Sequence, residues 1–146
     1  MKHDPAQARQ ARESALQILY GWEMSGDALP EAIAGVRELQ LRPPVQARDA
    51  LASELALGTA RALDRIDPLI TEAATNWRLE RLAVIDRLVL RLAVYELLER
   101  PDVPPAVVIN EALELARTFS APDAVRFVNG VLDAIRKRLD QQRTTS

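Results

Sequence analysis

The hydrophobic pattern has its centre of gravity at residues 85–98, where apolar positions recur on almost every side of a helical wheel. Ile85, Leu88, Val89, Leu92 and Tyr95 mark one stripe, and Leu90, Val94 and Leu97 mark a second. Arg87 and Arg91, four residues apart, are left as a narrow polar seam. A helix that is apolar nearly all round is expected to be buried nearly all round, with other helices packed about it. The same 3.6-residue period predicts six further helices. The first starts at Asp4-Pro5-Ala6-Gln7, where Asp4 can cap, Pro5 suits the first turn and Gln7 stands where a capping box wants it. It runs to about Ser25, turns Ala11, Ala15, Ile18, Leu19 and Trp22 to the core, and ends at Gly26-Asp27.

A short amphipathic helix follows from Pro30 to about Leu41, and Arg42-Pro43-Pro44 breaks it. The third helix spans about 45–64, with Leu51, Leu55, Gly58 and Ala62 on one face. Asp67-Pro68 reads as the start of a short fourth helix running towards Trp77. The run 100–105 carries Pro101, Pro104 and Pro105, which stop the central helix and pre-set the next. In 106–119, Val108, Ala112, Leu115, Ala116 and Phe119 form the core stripe, while Asn110, Glu111, Glu114, Arg117 and Thr118 face away. The last helix opens near Asp123 and buries Val128, Val131, Leu132, Ile135 and Leu139, with Phe127 at the margin of that stripe. Gly130 costs up to ~1 kcal/mol inside a helix, which suggests a close backbone approach there. Residues after Gln141 are expected to fray.

Composition narrows the class. With 146 residues, 48% hydrophobic and 27% charged, the chain suits one domain or two small subdomains. The expected fold is all-α with about seven helices, and a subdomain boundary is plausible near 66/67, giving parts 1–66 and 67–146. No flexible linker separates them, so they are expected to pack as one rigid body. No apolar run nears the ~20 residues of a membrane helix. No export signal stands at the start, and there is no cysteine, which suits a reducing, cytoplasmic setting.

Chemistry is excluded more readily than found. One histidine (His3) and no cysteine leave no transition-metal site of ordinary type. There is no Gly-rich phosphate loop or dinucleotide fingerprint, and carboxylate pairs such as Glu111 and Glu114 read as solvated helix faces. No cofactor and no catalytic constellation are expected. The net charge of −2 argues against a general nucleic-acid binder, so any RNA contact has to be local. Basic residues do gather at the two ends: Lys2, Arg9 and Arg12, then Arg126, Arg136, Lys137, Arg138 and Arg143. On the first helix Arg9, Glu13, Leu16 and Tyr20 fall close together, away from the expected core, with Arg12 at their edge. Such an apolar and aromatic patch beside arginines points to a partner surface, unless a second subdomain covers it.

The strings LRLAVYELLERPDVPPAVVINEALELARTFS and FVNGVLD, within an unbroken run over 88–133, resemble the C-terminal half of the NusB transcription antitermination factors. ARESALQILYGWEMSG resembles the N-terminal signature of the same family, although QARQAR stands where many relatives carry consecutive basic residues. The resemblance implies two packed bundles and an adaptor without enzymatic activity. It would bind boxA-type single-stranded RNA of ribosomal leaders together with the small-subunit ribosomal protein NusE, as part of an antitermination complex with RNA polymerase. Arg9 and Arg12 match the family's arginine-rich motif. Arginines supply phosphate contacts and aromatics offer stacking surfaces for unpaired bases. The candidate RNA-binding residues are therefore Arg9, Arg12, Gln17, Arg126 and Phe127. Tyr20 and Asp86 match the protein-partner face. Asn129 matches the family motif, with a buried structural role as the alternative. Some relatives dimerise, so a homodimer is open. Two competing readings are a protein-binding adaptor with no RNA role and the N-terminal domain of a ribosomal RNA cytosine methyltransferase. The second is expected to fail because the chain ends at Ser146.

Overall fold

The computed structural model describes residues 4–40 and 42–145. Lys2, His3 and the predicted helix end at Leu41 lie outside them. Among the described residues the fold is all-α: seven α-helices, one short 3₁₀ turn and no strand. The helices are α1 (Pro5–Ser25), α2 (Leu29–Leu39), α3 (Gln46–Arg61), α4 (Leu63–Ala73), α5 (Val84–Glu99), α6 (Pro105–Phe119) and α7 (Ala124–Thr145), with the 3₁₀ turn at Leu79–Arg81 between α4 and α5. The chain divides into two compact units, Met1–Arg61 and Ala62–Ser146.

In the N-terminal unit α1 packs against both α2 and α3. Its start is as the sequence predicts: Asp4 is the N-cap, and its Oδ1 accepts the Ala6 N–H at 2.9 Å. Its end is a left-handed residue, Gly26 at φ 72°, a conformation that costs glycine little. Ala11, Ala15, Ile18 and Leu19 are buried on α1, and Leu51, Ala52, Leu55 and Ala56 on α3. Arg48, on α3, is also buried. Its guanidinium donates to Gln10 Oε1 (3.2 Å), Gln40 Oε1 (3.4 Å), the Pro43 carbonyl (3.0 Å) and Asp49 Oδ1 (3.3 Å). Gln40 Nε2 in turn donates to Ser14 Oγ at 3.0 Å, which ties α1, the α2 end and α3 into one polar network. Periodicity did not show this centre, because a charged residue is counted as surface until its partners are known.

In the C-terminal unit α5 packs on α4, α6 and α7, and α7 on α4 and α6. Leu88, Val89, Leu90, Leu92, Ala93, Val94 and Leu97 of α5 are all buried, as an apolar wheel requires. Full burial of each large aliphatic side chain is worth about 1.5–3 kcal/mol. The polar seam is not left to solvent. Arg91 makes a two-point contact with Asp67 of α4 (both 2.9 Å), and Arg87 donates to the Leu79 and Leu82 carbonyls (3.4 and 3.5 Å). Glu96, only 2% exposed, is met by Arg100 at 3.0 Å one turn on.

Several expectations are corrected here. The fourth helix begins at Leu63, with Pro68 inside it rather than at its start. Leu63 and Ile66 extend the apolar stripe backward, so burial overrides the proline signal. Gly130 does not serve close packing: it is exposed, and an added Cβ would meet nothing within 4 Å. Asn129 is exposed, not buried, and Phe119 is 37% exposed although counted in the core stripe. α7 continues to Thr145 instead of fraying after Gln141, and Thr144 Oγ bonds back to the Asp140 carbonyl at 2.7 Å.

Candidate nucleic-acid interface

The site residues proposed from sequence divide between the two units. On α1, Arg9 and Gln17 are exposed and Tyr20 is 43% exposed. Leu16, grouped with them from the helical wheel, is buried at 2%. It lies about 40° round the helix from Tyr20, on the side of Arg12 and Leu19, and so falls inside the buried arc. Arg12 is 5% exposed and is already engaged by a neighbouring group. Arg9 is exposed, and it too has an interaction partner within the chain. Gln17 lines a groove of about 540 Å³ between α1 and α2 whose edge carries Glu13, Asp27 and Glu31. Arg42 meets Glu13 there at 3.1 Å. Two carboxylates, Asp27 and Glu31, remain at that edge.

The basic cluster near the C-terminus is largely balanced along α7. Lys137 pairs with Asp133 (3.1 Å), Arg136 reaches Asp140 (4.0 Å) and Arg138 pairs with Glu72. The first two are i,i+4 pairs on α7 and the third joins α7 to α4; exposed pairs of this kind are worth tenths of a kcal/mol each. Arg126 stands apart: it is exposed, and among the described residues its guanidinium makes no ion pair.

Next to Arg126, Phe127 is half-buried and meets Trp77 edge to face, with centroids 6.1 Å apart and planes at 71°. Aromatic pairs prefer this geometry because the positive ring edge meets the negative face. The two rings line a groove of about 450 Å³ with Arg81, Leu82, Asp86, Asp123 and Ala124. Asp86 is half-buried and accepts a hydrogen bond from the Ser120 hydroxyl, which joins the first turn of α5 to the end of α6. The structure thus brings together Phe127 and Asp86, which sequence reasoning assigned to different partners. It adds Trp77, which that reasoning treated only as the end of a helix. The available signal was the string NWR: a tryptophan among polar residues, with no apolar partner three or four positions on.

The described residues hold no group of three or more potential metal ligands and no helix long and apolar enough to cross a membrane. These features define a small all-helical protein with an aromatic groove whose charged lining is Arg81, Asp86 and Asp123. The NusB family model matches residues 9–137, and the chain belongs to that family. A transcription antitermination protein NusB from Sorangium cellulosum (strain So ce56) is 45% identical over 129 residues, covering 88% of this chain and 90% of that protein. Among solved structures, T. maritima NusB superposes with a TM-score of 0.80 at 34% identity, covering 94% of this chain and 93% of that one. A chain from a crystal structure of the antitermination factors NusB and NusE in complex with double-stranded RNA gives a TM-score of 0.82 at 29% identity, covering 92% of this chain and 99% of that one.

Proposed function

We propose that this chain is an RNA-binding transcription antitermination factor that acts with NusE. The observation carrying this reading is family membership along nearly the whole chain, together with the same fold as a chain crystallised with NusE and RNA. The RNA is of boxA type and single-stranded, and the complex engages RNA polymerase in the cytoplasm. The protein catalyses nothing and uses no cofactor. Arg9, Arg12 and Gln17 on α1 and Arg126 and Phe127 on α7 contact RNA, with Arg12, at 5% exposure, the most enclosed of the five. Tyr20 and Asp86 face NusE. A homodimer, where it forms, competes with these partners.

The acidic net charge sets the expected strength. With about three to five phosphates contacted, the logarithm of affinity should fall with log salt at a slope of ~0.7 per contact. The test is a titration of single-stranded and double-stranded boxA RNA, with and without NusE, at several salt concentrations. A slope equivalent to ten or more contacts would contradict a local interface. NusE binding without any RNA binding, alone or together, would instead favour the adaptor with no RNA role.

A further inference from the structure

The N-terminal unit carries two glycines for which its own fold gives no reason. Gly21 lies inside α1 and Gly35 inside α2. Neither has a positive φ, and a Cβ added at either would meet nothing within 4 Å. Glycine weakens a helix interior relative to alanine, and here it serves neither of its usual purposes, a special backbone conformation or a close contact. Both glycines border the groove of about 540 Å³ between the two helices. Its walls are one stripe of each helix: Glu13, Gln17 and Gly21 on α1, and Glu31, Gly35 and Leu39 on α2. Each stripe spans about 12 Å at 1.5 Å per residue, enough for two turns of a helix laid alongside. One end is closed by polar bonds, Gln40 to Ser14 (3.0 Å) and Arg42 to Glu13 (3.1 Å). The end beside the α1–α2 connection carries Asp27 and Glu31, and among the described residues neither carboxylate is paired.

Charge decides which kind of molecule this groove fits. α1 has no basic residue in its last turn, so the partial negative charge of its C-terminal end adds to that of Asp27. Glu31 also serves the positive start of α2, which leaves Asp27 the stronger attraction for a cation. Leu39, at 81% exposure, is the most open large apolar side chain among the described residues, and it stands on the groove wall. We propose that the groove docks a basic amphipathic helix of a protein partner. Apolar side chains of that helix lie over Gly21 and Gly35 against Leu39, and a lysine or arginine reaches Asp27 and Glu31. In such helix-in-groove recognition the apolar face supplies affinity and the charged rim selects the partner. Gln17, one of the proposed RNA contacts, also borders the groove, so RNA is the competing occupant; the two unpaired carboxylates favour the basic helix. The docking site does not depend on the RNA-binding reading.

The test uses the full chain, labelled with nitrogen-15, and a synthetic amphipathic helical peptide of leucine and lysine. A version with glutamate in place of lysine is the control. The lysine peptide should shift the amides that border the groove, Gly21 and Gly35 among them, and its affinity should fall with salt. The glutamate peptide should not bind. Gly35→Ala should raise the melting temperature, since the new methyl meets open space. Gly35→Leu should stay folded and weaken peptide binding about tenfold or more, because a side chain then fills the groove. If the leucine variant does not fold, the Gly21→Ala, Gly35→Ala double variant reads the same loss. Asp27→Asn should flatten the salt dependence. Absence of lysine-peptide binding, equal binding of the two peptides, or shifts that map elsewhere overturns the docking site. So does wild-type affinity in a folded groove-filled variant. Shifts at these amides from boxA RNA but not from the peptide give the groove to RNA and likewise overturn it. A wild-type dimer that Gly35→Leu converts to monomer in sedimentation gives it to a second copy, with the same consequence.

Discussion

The two units solve the same problem with different materials. The N-terminal unit gathers α1, α2 and α3 around alanines, a few leucines and a buried arginine whose bonds reach every element near it. The C-terminal unit wraps three helices around α5, whose buried positions are aliphatic apart from Glu96, itself met by Arg100. Nondirectional burial tolerates small shifts and rewards area, whereas a guanidinium bonded to four groups tolerates almost none. A fold can therefore be held by quantity in one place and by geometry in another.

Five measurements press on that contrast and on the surface the two units carry. The largest effect belongs to the aliphatic spine: Leu92→Ala should cost about 2–5 kcal/mol in denaturant unfolding, since Leu92 is 1% exposed and a cavity would remain. A cost under 1 kcal/mol would mean that α5 is not the spine. Next, Arg48→Ala should cost about 2–3 kcal/mol, because Gln10, Gln40 and the Pro43 carbonyl lose a charged donor. Arg48→Met sharpens this one. If the methionine protein matches wild type in stability, the network serves specificity and not strength. Third, Phe127→Ala should weaken RNA binding by ~1–3 kcal/mol with only a small drop in melting temperature. A large thermal loss with normal RNA affinity would return Phe127 to the core. The smallest effect is a gain: Gly130→Ala should stabilise by up to about 1 kcal/mol, as the new methyl meets nothing and helix propensity rises. A destabilised Gly130→Ala protein would show that something packs there after all. For the partner face, Tyr20→Ala should weaken NusE binding while sparing RNA binding by the isolated protein, read by paired titrations.

The helices themselves were legible in the sequence, and for a plain reason. Asp4-Pro5, Gly26 and the proline-rich turn at 100–105 act on the backbone locally, so no knowledge of neighbours is needed to interpret them. The spine was legible because a wheel apolar on all sides has only one comfortable environment. What escaped was whatever depends on who stands opposite. Leu16 and Tyr20 share a face within one turn, yet one is covered and the other open. Arg48 looks like any surface arginine until Gln10 and Gln40 are seen beside it. Pro68 carries a start signal that a longer buried stripe outvotes. The site was legible only in part. Phe127 and Asp86 came from the family pattern, but their common groove and the Trp77 ring were visible only once distant segments met.

Pro68 has a further consequence, in time instead of energy. Sitting inside α4, it has no N–H to give to the carbonyl four residues earlier, so the helical ladder is interrupted there. Arg91 grips Asp67 just before the gap, and after it Ile70 is fully buried and Glu72 pairs with Arg138 of α7, so the helix is held on both sides of the break. In hydrogen exchange the amides of α5 should open only when the whole unit unfolds, whereas those just after Pro68 should exchange through small local openings. A single missing donor thus sets two clocks within one unit, a slow one for the spine and a faster one for the turn of α4 beside it.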